Sequence, residues 1–238
     1  MKPLALIITN EHAVNYIPPA YEHYFEGHEA LLQTHRGIDF GTQTIATCLT
    51  TSLDCKLATA TISRLLIDLN RSLSHPSCFS EISAHFSEEE KNHLIARYYL
   101  PYREQVERDI CALVTEGHQV LHLSMHSFTP ILNGEIRNTD IGLLYDPKRH
   151  GEKTLARRWQ YLLKQHSNSL RIRMNYPYKG NTDSLTTSLR KKFPIEDYLG
   201  IEVESNQTLT RDPHALTILI HAFDTTLKLL LKENFSDV

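Results

Sequence analysis

The sequence predicts an α/β fold with three layers, in which helices cover both faces of a mixed, largely parallel sheet. Two observations predict this fold class. Short aliphatic runs alternate with helical patterns along the chain, and these runs are almost continuously apolar, as expected for strands that are buried on both faces. The chain has 238 residues, of which 41% are hydrophobic, and this suits one domain spanning residues 1–238.

Strands are predicted at apolar runs that end in polar residues, namely 3–9, 64–69, 120–125, 140–145 and 200–205. Helices are predicted at 41–53, at 87–117 with a break near Pro101, and at 151–167, 184–193 and 213–232. The last helix carries one apolar stripe, formed by Leu216, Ile220, Phe223, Leu227 and Leu230, which should pack against the sheet. The long polar connections 127–138 and 175–188 are expected to form the walls of a pocket.

The net charge indicates what kind of molecule the protein binds, and the cysteines and apolar segments indicate its cellular compartment. The net charge is −3, so no positive excess favours a nucleic acid or an anionic membrane, and a small molecule is the expected partner. The four cysteines, at positions 48, 55, 78 and 111, show neither zinc-ribbon pairing nor the density of a secreted disulfide scaffold, so they are expected to be reduced. The N-terminal apolar run is too short for a signal peptide, and no later apolar segment is expected to reach the ~18 residues of a membrane span. A cytoplasmic location is therefore expected.

Two histidines follow buried runs at places where an open α/β sheet presents its carboxyl ends. His12, preceded by Glu11, comes directly after the first strand, and His126 stands at the end of the run 120–125. A single loop histidine usually has no ligand, but two imidazoles at one edge of a sheet would supply half of a tetrahedral zinc site. The missing ligand would be a carboxylate.

Two carboxylates are candidates for that ligand, and two others for a catalytic base. Asp39, just before the helix 41–53, is the preferred ligand, although it could instead cap that helix. Glu11 is the alternative ligand. Glu202 and Glu204 share one face of a strand, and either could act as a general base towards a zinc-activated water, unless they lie on a solvated edge strand.

The stretch "SRLLIDLNRS" ends a predicted strand in a polar cluster. Arg64, Asp68, Asn70 and Arg71 belong to it. The planar fork of arginine binds a carboxylate through two parallel hydrogen bonds, and asparagine can add a further donor. The cluster therefore predicts a site for the carboxylate of a substrate. A salt bridge between Asp68 and one of the arginines is the structural alternative, and it can coexist with that role.

Seven segments follow one another along the chain: "NEHAVNYIP", "HRGIDFGT", "SRLLIDLNRS", "HLSMHSFTP", "DIGLLYD", "YPYKG" and "GIEVESNQTL". In this order they resemble the N-formylglutamate amidohydrolase family, and the resemblance runs from about residue 5 to residue 209. The most specific is "DLNR", residues 68–71, which also resembles the substrate-carboxylate motif of zinc carboxypeptidases and aspartoacylase-like enzymes. The resemblance implies a phosphorylase/hydrolase-like three-layer fold, one zinc ion and hydrolysis of an N-acyl bond on an acidic amino acid.

The resemblance also implies roles for individual residues. His12 and His126 would be zinc ligands, Asp39 matches the acidic position between them, and Glu204 would be the base that activates water. Arg64 would polarise the scissile carbonyl or bind carboxylate. Other family positions are Asn70 and Arg71, which would hold the α-carboxylate, and Lys179 with Gly180, which match the loop over the substrate.

The sequence departs from the carboxypeptidase relatives at one position. Those relatives place a glutamate three residues after the first histidine, whereas this chain has Asn15, a poor zinc ligand. Asn15 leaves open a binding protein that keeps the carboxylate pocket without catalysis. Because fold alone does not determine the substrate, a peptidase or amidase of the same fold that acts on short peptides is a further alternative.

Overall fold

A six-stranded sheet forms the centre of the protein in the computed structural model, which describes residues 2–233. The strands of this sheet are β1 (Leu4–Asn10), β2 (Lys56–Thr59), β3 (Gln119–Phe128), β6 (Ile141–Leu144), β7 (Ile172–Met174) and β8 (Tyr198–Asn206). The two strands of a separate short hairpin are β4 (Ile131–Leu132) and β5 (Glu135–Ile136). The order across the sheet is β2-β1-β3-β8-β6-β7. The first four of these run parallel, and β6 is antiparallel to β8, so the predicted mixed, largely parallel sheet is confirmed.

Helices cover both faces of the sheet, as the continuous apolar strands indicated. The α-helices are α1 (Glu29–Leu32), α2 (Thr42–Leu53), α3 (Glu88–Leu94), α4 (Leu100–Thr115), α5 (His150–His166), α6 (Leu185–Lys192), α7 (Gln207–Thr210) and α8 (Pro213–Lys232). Apolar side chains of α2, α5 and α8 pack on one face, and those of α4 and α6 pack on the other. This arrangement is the predicted three-layer α/β/α fold.

Along β3, apolar side chains point to one face of the sheet, and histidine side chains point to the other. Leu121, Leu123 and Met125 point into the core formed with α2, α5 and α8. Since successive strand side chains point to opposite faces, His122 and His126 lie on the side of α4 and α6, and both are buried. The polar side chains of the central strands therefore gather on one face of the sheet, where they can form a site.

The prediction of a strand at 64–69 is wrong. These residues form turns outside the sheet, and their apolar side chains are buried in a second core that includes Ile62, Tyr21 and Phe25. Their backbone groups are bonded locally rather than in a ladder: Asp68 N donates to Cys78 O at 2.7 Å, and Ser80 Oγ donates to Leu65 O at 2.6 Å. The run is apolar because its side chains are buried, but they are buried in a core that consists largely of loops and not in a sheet.

The bounds of the predicted helices are confirmed to within a few residues, and the predicted break near Pro101 is present. A π-helical turn, Ile95–Tyr99, separates α3 from α4, and Pro101 follows in the first turn of α4. Proline has no backbone N–H and its ring clashes with the preceding turn, so a regular α-helix cannot continue through this position. The short strands β2 and β7 and the hairpin were not predicted.

The helix α8 corrects the expectation that no segment is long and apolar enough to span a membrane. The helix has 20 residues, and an 18-residue window within it meets that criterion with a mean hydropathy of 1.2. In the fold its predicted stripe packs into the core with α2 and α5, and Phe223, Leu227 and Leu230 are fully buried. The core helix of a globular protein passes the same test, and the cytoplasmic location stays a prediction.

Candidate active site

The candidate site lies at the carboxyl ends of the parallel strands, the position where open α/β sheets bind ligands. His12 follows β1, and His126 lies on β3, which runs two residues beyond it to Phe128 rather than ending at 125 as predicted. Glu204 on β8 is the direct neighbour of His126 in the β3–β8 ladder. Three adjacent strands thus bring these side chains to one place.

His12, Asp39 and His126 form a compact buried cluster. Nδ1 of His126 lies 3.0 Å from Oδ2 of Asp39, and Nδ1 of His12 lies 3.3 Å from the same oxygen. The centroids of the two imidazole rings are 4.9 Å apart. One ligand atom from each of the three residues lies within 4.8 Å of those of the other two. The structure therefore brings together the three residues that the sequence analysis selected as metal ligands.

The other ring nitrogen of His12 is held by a carboxylate. Nε2 of His12 lies 2.8 Å from Oδ1 of Asp68, and because a carboxylate can only accept, the imidazole donates and keeps its proton on Nε2. In the neutral ring that can ligate a metal, the lone pair is then on Nδ1, the nitrogen that lies 3.3 Å from Asp39 Oδ2. Metal-ligating histidines commonly donate their second N–H to a carboxylate in this way.

Charge in the cluster favours a bound cation. Burial alone would raise the pKa of Asp39, but the charge and hydrogen bond of His12, together with the hydrogen bond of His126, lower it well below its usual range. Burial alone would lower the pKa of His126, but its hydrogen bonds to Asp39 and Glu11 raise it well above its usual value. The negative charge of the carboxylates therefore favours a positive charge at this cluster. Two imidazoles and a carboxylate are also a ligand set that zinc accepts, so the residues present fit a zinc ion.

The alternatives for the carboxylate ligand are placed elsewhere. Glu11 is fully buried, but it approaches His126 from the other side of the ring, with Oε2 3.3 Å from Nε2. Asn15 lies outside the cluster and donates from Nδ2 to Leu32 O at 3.0 Å. Asp39 does not cap the helix α2, whose N-cap is Gly41 without a side-chain cap.

Glu202 and Glu204 do not lie on a solvated edge strand, since β8 is flanked by β3 and β6 and both side chains are buried. Burial raises the pKa of Glu204 to about 7. Its Oε2 is buried and has no hydrogen-bond partner among residues 2–233, whereas Oε1 of Glu202 accepts a hydrogen bond from Thr186 Oγ1 at 2.6 Å. One oxygen of Glu204 is therefore free of hydrogen bonds within the described residues, whereas one oxygen of Glu202 is occupied.

Arg64 contacts Asp68 and Asp39, the two carboxylates that are partners of His12. Its Nη2 donates to Oδ2 of Asp68 at 2.8 Å, which is the salt bridge weighed in the sequence analysis, and its Nη1 lies 3.6 Å from Oδ1 of Asp39. Nη1 also lies 3.1 Å from Nδ1 of His12. The guanidinium thus lies beside the cluster of His12, Asp39 and His126, and the Arg64 side chain is 26% exposed.

A cavity of about 860 Å³ opens above the cluster. Its lining includes Asn70, Arg71 and Lys179, the predicted substrate-binding residues, as well as Glu204. Parts of both predicted loops contribute: residues 127–129 and Leu132 from the first, and residues 178, 179, 182 and 183 from the second.

The predicted carboxylate-binding residues are held by the first residue of α6 and by the loop before this helix. Oδ1 of Asn70 accepts a hydrogen bond from Leu185 N at 2.8 Å, and Nη1 of Arg71 donates to Asp183 O. Lys179 is exposed where it lines the cavity. The predicted carboxylate-binding residues and the cluster of His12, Asp39 and His126 therefore face one space.

Sequence reasoning did not single out Tyr178. It lines the cavity, and its hydroxyl oxygen accepts a hydrogen bond from Nη1 of Arg137 at 2.9 Å. The loop that carries it is tied to β6, because Oδ1 of Asn175 accepts hydrogen bonds from Tyr145 N and Gly180 N, each at 3.0 Å. Its only signal in the sequence is its place inside "YPYKG".

Comparison with known protein families decides the relationship. The profile of the N-formylglutamate amidohydrolase family matches residues 4–211. The chain belongs to the N-formylglutamate amidohydrolase family. This membership confirms the resemblance drawn from the seven segments and makes the chain a hydrolase of amide bonds.

Solved structures agree with this N-formylglutamate amidohydrolase fold. Gene product Atu2144 from Agrobacterium tumefaciens aligns with a TM-score of 0.81 at 24% identity, covering 97% of this chain and 90% of that chain. N-formylglutamate amidohydrolase from Ralstonia eutropha JMP134 aligns with a TM-score of 0.69 at 19% identity, covering 97% of this chain and 94% of that chain. At these identities the likeness concerns the fold alone. No curated protein matches the chain.

Proposed function

We propose that this chain is a zinc-dependent amidohydrolase that removes an N-formyl group, or another short N-acyl group, from an acidic amino acid such as N-formylglutamate. One observation carries the proposal: the cluster of His12, Asp39 and His126, with donor atoms within 4.8 Å of one another, shares a cavity with Glu204 and Arg71. Metal ligands, a base and a carboxylate-binding cation are the groups that this reaction requires.

His12, Asp39 and His126 would hold the metal. Zinc bound there would supply Lewis acidity and would make a water acidic enough to be deprotonated near neutral pH. Glu204 receives the proton of the attacking water at its unpartnered Oε2 and delivers it to the amide nitrogen as the C–N bond breaks. One C–O bond forms and one C–N bond breaks, and the products are formate and the free amino acid.

Cationic groups on the cavity wall orient the substrate. Arg64, at the mouth of the metal cluster, polarises the scissile carbonyl or binds a carboxylate. Asn70 and Arg71 hold the α-carboxylate of the amino acid, and Lys179 is available to its second carboxylate. Two anionic groups on the substrate would therefore meet separate cations, which supports an acidic amino acid over a neutral one.

The size of the cavity favours a second candidate substrate class. Its volume of about 860 Å³ lies in the upper part of the range, roughly 300–1,000 Å³, that holds drug-sized ligands. A formylated amino acid is much smaller than such a ligand. A longer N-acyl group or a short peptide would use more of this space with the same catalytic groups.

Metal analysis followed by product assays tests the proposed function. We expect about one zinc ion per chain and release of formate from N-formylglutamate, faster than from N-formyl derivatives of neutral amino acids. A parallel series of N-acetyl and N-aminoacyl glutamates separates the two substrate classes. Tight binding of N-formylglutamate without turnover in the zinc-loaded protein would identify a non-catalytic binding protein instead.

The variant Arg71→Lys is expected to raise KM for N-formylglutamate by about 10- to 100-fold with little change in kcat. Lysine keeps the charge but loses the planar fork, and a hydrogen bond to a charged group contributes roughly 1.5–3 kcal/mol. Steady-state kinetics measures both constants. Arg157→Lys is the matched control because Arg157 is exposed on α5, outside the cavity. An unchanged KM in Arg71→Lys would place the carboxylate elsewhere.

A further inference from the structure

Glu11 is a buried carboxylate to which the mechanism above assigns no step. It follows β1, its side chain has no exposed surface, and it does not line the cavity. Among residues 2–233, its one ion-pair partner is His126. An isolated buried carboxylate is costly, so a charge at this position requires a compensating contact.

The hydrogen bonds around Glu11 determine where each proton lies. Ser124 Oγ is 2.6 Å from Oε2 of Glu11 and 2.8 Å from Nε2 of His126. Tyr102 donates its hydroxyl proton to Oε1 of Glu11 at 3.1 Å. Since a carboxylate can only accept hydrogen bonds, the single proton of Ser124 must point to Glu11.

The tautomer of His126 follows from this assignment. With its proton directed to Glu11, Ser124 can offer only a lone pair to His126, so Nε2 of the imidazole must carry a hydrogen. Oε2 of Glu11 itself lies 3.3 Å from that nitrogen. The amide nitrogen of Asn70, at 3.4 Å, makes the longest of these contacts. In the neutral ring that can ligate a metal, the lone pair is then on Nδ1, the nitrogen that lies 3.0 Å from Asp39 Oδ2.

We propose that Glu11, acting with Ser124, is a positioning residue that fixes the Nε2–H tautomer of His126 and so presents Nδ1 to the metal. This inference rests on the metal centre of the proposed function. It gives His126 the same arrangement that Asp68 gives His12. Glu11 is thus a partner of a ligand rather than a ligand itself, since it contacts the ring nitrogen opposite the cluster.

Zinc affinity of the variant Glu11→Gln tests the proposal without reference to turnover. Removal of such an outer carboxylate typically lowers metal affinity 10–100-fold, and we expect a loss of about this size when the metal-free protein is titrated with zinc against a chromophoric chelator. The matched control is Glu152→Gln. Glu152 is equally buried but accepts hydrogen bonds from Gly200 N and Asp146 N outside the cavity, so this variant should keep wild-type affinity.

A spectroscopic measurement identifies the tautomer directly. Long-range ¹H–¹⁵N spectra of the zinc-loaded wild-type protein should show His126 with a hydrogen on Nε2 and the metal on Nδ1, and Ser124→Ala should weaken zinc binding less than Glu11→Gln does. Unchanged zinc affinity in a folded Glu11→Gln protein, or zinc on Nε2 of His126, would overturn the proposal. If Glu11→Gln does not fold, the wild-type spectra and Ser124→Ala decide: zinc on Nε2 of His126, or a zinc affinity of Ser124→Ala equal to that of the wild type, would overturn the proposal.

The failure of this inference differs from the failure of the proposed function. If the wild-type protein binds no zinc, the metal centre itself is wrong. If it binds zinc and hydrolyses its substrate, but Glu11→Gln binds zinc as tightly as the wild type, then only the role of Glu11 is wrong.

Discussion

Replacing Glu204 with glutamine is expected to lower kcat by about 10²- to 10⁴-fold while one zinc ion stays bound, since this is the usual contribution of a general base. Glutamine has nearly the same shape but cannot take a proton at the position of Oε2, the atom that has no partner among the described residues. The three proposed ligands are left intact. Single-turnover formate release and metal analysis on the same sample measure the two effects separately.

Glu202→Gln is the comparison that identifies the base. Glu202 lies on the same face of β8 and also lines the cavity, but its Oε1 is occupied by Thr186. We expect a smaller loss in this variant. A larger loss in Glu202→Gln than in Glu204→Gln would transfer the role of base to Glu202, and full activity in Glu204→Gln would refute the proposed mechanism.

Replacing His126 with alanine is expected to remove the metal and with it all measurable hydrolysis. Two of the three proposed ligands remain, and the loss of a direct ligand should exceed the 10- to 100-fold loss of affinity typical of an outer partner. Zinc content after dialysis should fall from about one ion per chain to near zero. Added zinc should restore little activity, because the site lacks its second imidazole.

The control for this variant lies on the same strand and the same face. His122 is fully buried four positions earlier and is bonded to Thr9 Oγ1 and Tyr198 OH, both at 2.7 Å. His122→Ala removes an imidazole of equal burial outside the cluster, so it should cost stability but keep zinc content. A wild-type zinc content in His126→Ala would remove His126 from the ligand set.

The strands and helices that the sequence predicted correctly are those whose burial follows a local pattern. The stripe on α8 and the apolar runs of β1, β3, β6 and β8 record which faces meet the core. The strand predicted at 64–69 shows the weakness of the same reasoning, because a loop buried in its own core also produces a continuous apolar run. The polar residues of this stretch nevertheless line the cavity, although the predicted strand was wrong.

The sequence by itself determined the residue types of the site and the family to which they belong. We could predict that His12, Asp39, His126 and Glu204 lie in one site from the histidines after two buried runs and from the order of the seven segments. These inferences succeed because parallel strands present their carboxyl ends at one edge, so residues distant in the chain converge whatever the details of packing.

Tertiary structure alone decided which atom of each side chain faces which partner. Glu11 and His12 are neighbours in the chain, yet His12 presents Nδ1 to Asp39 while Glu11 approaches the opposite side of the His126 ring. The roles of Asp68 and Ser124 as partners of the two imidazoles also emerge only from distances across the fold. The physical reason is that a hydrogen bond depends on ångström-scale placement of donors and acceptors, which is set by packing between segments and leaves no periodic trace in the sequence.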